Sequence, residues 1–98
     1  MVIEQLSFQV PLAEQPRFLA ADAAIWTETL AGQPGFLGKE VWREAADPDH
    51  LHLVIRWTDR SLWQAVPPRL LAETEAAFVG ALGVTYPLVR CLDQDVLA

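Results

Sequence analysis

At 98 residues the chain has room for one hydrophobic core and no second module beside it, so any site must be built into that core or onto an interface between copies. Apolar residues make up 52% of the chain, more than one small core easily hides, which points to self-association. A formal net charge of -6 with seven scattered Lys and Arg excludes nucleic acid and anionic membrane surfaces as natural partners.

Residues 2–10 alternate Val2, Glu4, Leu6, Phe8, Val10 against Ile3, Gln5, Ser7, Gln9, the period-two pattern of a strand stopped by Pro11. Pro16 suits a first helical turn, and the Ala-rich residues 17–31 predict a helix ended by Gly32 and Pro34. Residues 36–44 and 51–57 are rich in β-branched and aromatic side chains and flank the turn Asp47-Pro48-Asp49, a predicted hairpin. Thr58 is the expected N-cap of a short helix over 59–65. Pro67-Pro68 introduces a second long helix over 69–82, closed by Gly83, and 84–92 reads as a last strand with Pro87 at an edge or bulge.

The order β-α-β-β-α-β carries an internal repeat. Phe18, Leu19, Asp22, Ile25, Trp26, Thr29 and Leu30 hold the same helical offsets as Leu70, Leu71, Thr74, Ala77, Phe78, Ala81 and Leu82. Residues 1–98 therefore read as a single α+β domain of the ferredoxin-like, split-βαβ kind, a four-stranded antiparallel sheet with two long helices on one face. The other face would carry Ile3, Gln5, Ser7, Gln9, His52, Val54 and Arg56, a mixture that fits a solvated sheet or, better, a partly wet two-fold contact with a second copy. Met1-Val2-Ile3-Glu4 has no basic leader start and no apolar run reaches membrane-span length, so a cytoplasmic protein is expected. Cys91 reads as a small buried hydrophobe, and His50 and His52, the only histidines, have no zinc-ligand spacing. No metal or cofactor is expected.

Pro34-Gly35-Phe36-Leu37-Gly38, the turn Asp47-Pro48-Asp49, and Val54-Ile55-Arg56-Trp57-Thr58-Asp59 followed by Leu62-Trp63 resemble the dimeric α/β-barrel superfamily, in its antibiotic-biosynthesis-monooxygenase-like branch. The resemblance covers the whole chain and implies a homodimer whose sheets pack face to face as a barrel, with a ligand cavity in each monomer between helices and sheet. Family members include cofactor-independent quinol-forming monooxygenases, haem-degrading oxygenases, small isomerases and proteins of no known activity, so fold does not settle function. Haem-degrading members use an Asn on the first strand and a His on the helix after the third strand. This chain has no Asn, and residues 61–82 contain no His.

Asp22 lies inside the first helix's apolar stripe, where an isolated carboxylate is costly, so it must be paired, wetted or protonated. It either orients a substrate hydroxyl and moves a proton, or bonds an indole N–H, the Tyr86 hydroxyl or an Arg and only fixes the core. His52 is the second candidate catalytic group, with a satisfied interface histidine as the plainer reading. Trp26 and Trp57 could wall an aromatic ligand, whereas Trp42 and Trp63 read as packing. Thr29 and Thr74 could line the same cavity or back-bond their own helices. Arg56 is a further ligand-binding candidate, or a cross-strand partner of Glu40, Glu4 or Asp22. Glu40 lies opposite it if residue 40 pairs with 56, and on the other face after a one-residue slip. Glu73 and Glu75 read as solvated flanks. The readings are thus a small apolar or aromatic ligand bound between helices and sheet, a cofactor-free monooxygenase or isomerase acting on a phenolic or quinol-type substrate, or a dimerisation module without ligand.

Overall fold

A computed structural model describes residues 1–98. Strands β1 (Val2–Gln9), β2 (Phe36–Arg43), β3 (His50–Trp57) and β4 (Leu88–Asp95) form one antiparallel sheet in the order β2-β3-β1-β4, the ferredoxin-like arrangement. Helix α1 (Gln15–Ala21) enters through a 3-10 turn, Leu12–Glu14, and runs through a π turn, Asp22–Thr27, into α2 (Glu28–Ala31). A short α3 (Arg60–Gln64) and a long α4 (Pro68–Leu82) complete the helical layer. No helix is long and apolar enough to cross a membrane.

Register sets which side chains meet the helices. Val2, Glu4, Leu6 and Phe8 of β1 stand opposite Trp57, Ile55, Leu53 and Leu51 of β3, all on the helix side. Ile3, Gln5 and Ser7 stand opposite Arg56, Val54 and His52 on the open side. In the β2–β3 hairpin Phe36 pairs with Trp57 but Gly38 pairs with Arg56, a bulge at Leu37 that reverses the facing of the rest of β2. Downstream of it Lys39, Val41 and Arg43 turn toward the helices, and Glu40 and Trp42 face outward. Glu40 pairs with Val54 and faces the same side as Arg56, which it reaches diagonally at 2.6 Å.

Three sequence expectations are corrected. Asp59, not Thr58, caps α3: its backbone is extended and its carboxylate accepts the Leu62 N–H at 2.8 Å. The last strand begins at Leu88 rather than residue 84, because the left-handed Gly83 and the loop ending at Pro87 intervene. It runs on to Asp95 because it pairs with β1 as far as Val2, opposite Asp95, and Arg60 ties that end to α3 through bonds to Asp93 at 2.8 and 2.7 Å and to Asp95 at 2.9 Å. Cys91 is exposed rather than buried, since β4 is an edge strand whose helix-side face is open there.

The core divides in two. Phe18 with Val10, Leu51, Leu53, Phe78 and Leu82 forms one cluster, Trp57 with Val2, Leu30, Ile55 and Val66 the other, and Trp26 touches both. Gly35 locks the second cluster to α3. Its φ is +87°, and a Cβ there would stand 2.7 Å from Leu62 Cβ and 3.0 Å from Thr58 Oγ1. Strain and overlap act together, so Gly35→Ala is expected to cost about 2–3 kcal/mol in urea unfolding, where a free turn glycine would lose under about 1.

Candidate functional site

Between the two core clusters lies a cavity of about 430 Å³, within the usual range of small-molecule sites. Its walls are aromatic and aliphatic: Phe18, Trp26, Trp57, Trp63, Phe78 and Tyr86 all reach it. Exposed Leu71 and Glu75 of α4 and Leu88 of β4 also line it, so the mouth opens between α4 and the β4 edge. The polar groups on its walls are few and mostly acidic.

Asp22 is the central one. It begins the π turn, a widened helical turn of the kind concentrated at functional sites, and it is 2% exposed. Its Oδ2 accepts the Lys39 ammonium at 2.7 Å, whereas Oδ1, equally buried, has no hydrogen-bond partner. Both side chains of the pair are sealed from bulk solvent, at 2% and 3% exposure. Burial pushes the Asp22 carboxyl above the ordinary carboxylate range, and the Lys39 charge and hydrogen bond oppose it.

Glu4 is the second carboxylate. Its place on the helix side of β1, level with Ile55, carries it into the cavity, where Oε1 accepts the Trp57 indole N–H at 3.2 Å. Burial raises its pKa too, against the Trp57 and Trp63 indoles and the charge of Lys39. Lys39 thus opposes, through its charge, the upward shift of both carboxyls, which burial nevertheless carries.

The structure gathers some of the sequence candidates and disperses others. Asp22, Trp26 and Trp57 line the cavity together, and Trp63, read as packing, joins them. Thr29 and Thr74 do not line it, and the Thr74 hydroxyl donates to Leu70 O at 2.7 Å. Arg56 and His52 stand on the opposite face of the sheet, Arg56 paired with Glu40. His52 Nδ1 is 2.6 Å from Ser7 Oγ and its Nε2 is 3.3 Å from Glu44 Oε1. That Ser-His-Glu row, absent from the linear sequence, is created by strand pairing, and Ser7 itself is buried. At the hairpin turn Glu44, Asp47 and His50 bring ligand atoms within 4.8 Å of one another, with His50 Nδ1 2.8 Å from Asp47 Oδ2 and 3.6 Å from Glu44 Oε2.

Sequence reasoning missed the partner of Asp22. None of the expected donors reaches it, because the Tyr86 hydroxyl donates to Glu14 at 2.8 Å and Lys39 takes the position. Gly38 directly after the bulge was the available clue, since glycine within a strand often marks one. Glu4 was missed although its alternation with Val2, Leu6 and Phe8 already placed it on the apolar face.

A family model for antibiotic biosynthesis monooxygenases matches residues 1–66. No curated protein matches the sequence. Solved structures that resemble it include a candidate antibiotic biosynthesis monooxygenase from Bordetella bronchiseptica, with a TM-score of 0.75 at 17% identity over 99% of this chain and 97% of that one. The heme-degrader MhuD from Mycobacterium tuberculosis gives 0.73 at 19% identity over 100% of this chain and 97% of its own. An uncharacterized NIPSNAP domain protein from Burkholderia xenovorans gives 0.72 at 18% identity over 100% and 96%. At such identities the structures share the fold alone, and the sheet order, the two-helix layer and the match over residues 1–66 agree: the chain belongs to the antibiotic biosynthesis monooxygenase family.

Proposed function

We propose that this protein binds a small, largely aromatic molecule in the cavity between its helices and its sheet. The observation that carries the reading is the buried Asp22 Oδ1, an acceptor without a partner in a residue that lines a 430 Å³ aromatic-walled space. A buried acceptor left unpaired costs about 1–3 kcal/mol, and a ligand hydroxyl donating to it recovers that loss. Trp26, Trp57 and Trp63 supply flat walls for the ring. Titration with naphthol at neutral pH is expected to quench tryptophan fluorescence saturably. Because the Asp22 pKa is raised, this affinity should fall as pH drops through that raised value, and Asp22→Asn should remove the dependence. Unquenched fluorescence across the solubility range of naphthol would count against the site.

A haem does not fit these residues. His50 and His52 both stand on the side of the sheet away from the cavity, Tyr86 is committed to Glu14 with its pKa raised, and Lys39 is held by Asp22. Nothing on the cavity wall is left to serve as an axial ligand.

The raised carboxylates favour a second reading, cofactor-free oxygenation of a phenolic substrate. Asp22 would take the hydroxyl proton, and molecular oxygen would then insert one atom into the ring and leave the other in water. A hydroxyarene becomes a quinone without a further reductant. Oxygen uptake with a phenol panel, lost in Asp22→Asn, tests this; uptake unchanged by that substitution removes Asp22 from the chemistry.

The same reading includes a homodimer closed through the open sheet face, working in the cytoplasm, where the exposed thiol of Cys91 stays reduced. Support comes from Ile3 and Trp42 on that face, Trp42 being 45% exposed. Light scattering is expected to give twice the chain mass at micromolar concentration, and Trp42→Arg to halve it. A monomeric parent protein would remove the barrel from the reading.

A further inference from the structure

We propose that the cavity selects uncharged aromatic ligands that bring a hydrogen-bond donor and turns away carboxylated ligands of the same size. This rests on the binding reading above and adds to it the charge class of the ligand, set by Asp22, Glu4 and Glu75.

Three carboxylates and a single cation line the space: Asp22, Glu4 and Glu75 against Lys39. The cation has no freedom to receive an anion. Its ammonium is bonded to Asp22 at 2.7 Å and its side chain is 2% exposed, so a ligand carboxylate would have to break a buried ion pair to reach it. Of the other cations, Arg60 is held by Asp93 and Asp95 and Arg56 by Glu40 on the far side of the sheet, and Arg17, whose charge reaches the lining Tyr86, donates to Ala81 O and does not itself line the space. An anionic ligand would therefore meet Glu75 at the mouth, Glu4 and Asp22 inside, and on the wall no cation but the ion-paired Lys39. Like-charge contacts in a desolvated site are strongly unfavourable.

Hydrogen-bonding valence points the same way. The unsatisfied polar atom among the lining residues is an acceptor, Asp22 Oδ1, while the indole of Trp57, a potential donor to the ligand, is already committed to Glu4. A ligand must donate to be complementary. An organic ammonium would donate as well, but at Asp22 Oδ1 it would lie beside the Lys39 ammonium, which occupies the other oxygen of the same carboxylate. An uncharged hydroxyl or N–H meets the acceptor without either repulsion.

Isothermal titration calorimetry of the intact protein at neutral pH with four probes on one ring system tests this: naphthol, methoxynaphthalene, naphthoate and naphthylmethylamine. Naphthol is expected to bind about tenfold or more tighter than methoxynaphthalene, which cannot donate, and than naphthylmethylamine. Naphthoate is expected to bind at least about a hundredfold more weakly than naphthol. Glu4→Gln should narrow the naphthol-to-naphthoate ratio about tenfold, and Glu75→Gln, at an exposed position where folding is not at risk, should narrow it in the same direction. Equal affinity for naphthol and naphthoate, tightest binding of the amine, or ratios unmoved by both substitutions would overturn the selectivity while leaving the cavity a binding site. Failure of all four probes to bind would instead remove the binding reading, and the selectivity with it.

Discussion

Replacing Lys39 by Met is expected to destabilise the protein by about 3–5 kcal/mol at neutral pH, the cost of leaving a buried charge without its partner. The Lys39–Asp22 pair is only 2% and 3% exposed and is joined at 2.7 Å, and Asp22 has no other hydrogen bond to fall back on. The loss should depend on pH with a defined sign. The Asp22 pKa is already raised in the folded chain, and without Lys39 it rises further, so the native state holds a proton that the unfolded chain has released. The deficit is therefore smallest below about 4, where the carboxyl is neutral in both states, and grows as pH climbs through the raised native value. Replacing both partners, Asp22→Leu with Lys39→Met, should return stability to the parent level or above it by about 1–4 kcal/mol, since an apolar pair carries no desolvation cost. Urea unfolding of the three proteins at two pH values checks all of this, and a Lys39→Met deficit below about 1 kcal/mol at neutral pH would show the pair to be solvated.

Trp57→Ala is expected to be similarly damaging, at about 3–5 kcal/mol. Trp57 is fully buried, at 0% exposure, and closes the cluster of Val2, Leu30, Ile55 and Val66. Its ring meets Phe36 edge-on, with centroids 5.9 Å apart at 85°, and its N–H holds Glu4. Truncation would both open the core and release that carboxylate into the enlarged space. Trp57→Phe separates the two effects: it keeps most of the packing, costs about 1–2 kcal/mol, and removes the indole that opposes the upward shift of Glu4. For a domain of this size each kcal/mol moves the melting temperature by about 4–8 °C, so the two variants are distinguishable by thermal denaturation alone.

The fold was legible because its determinants are periodic. The alternation of Val2, Glu4, Leu6 and Phe8, the matched stripes through Phe18 and Leu70, and the Pro-Gly-Phe entry to β2 each act within a few residues, and together they specify the β-α-β-β-α-β order that the sheet adopts. The interior position of Asp22 was legible for the same reason, as it falls on the helical stripe. Its partner was not. Lys39 reaches Asp22 only because one extra residue at Leu37 reverses the facing of β2, and strand periodicity carries no mark of such an insertion beyond Gly38. The π turn that begins at Asp22 is equally silent in composition, because Asp22–Thr27 would suit an ordinary α-helix as well. Arg56 and His52 are the converse case. Their residue types suggested a ligand site, and register assigns them to the face of the sheet that the helices leave open.

A crystal structure of the protein grown with naphthol tests the binding cavity most directly. The ring is expected between Trp26 and Trp57, with its hydroxyl within hydrogen-bonding distance of Asp22 Oδ1 and the Lys39–Asp22 pair intact. A cavity closed by its own side chains, or naphthol bound only elsewhere while Asp22 Oδ1 stays unpartnered, would contradict it.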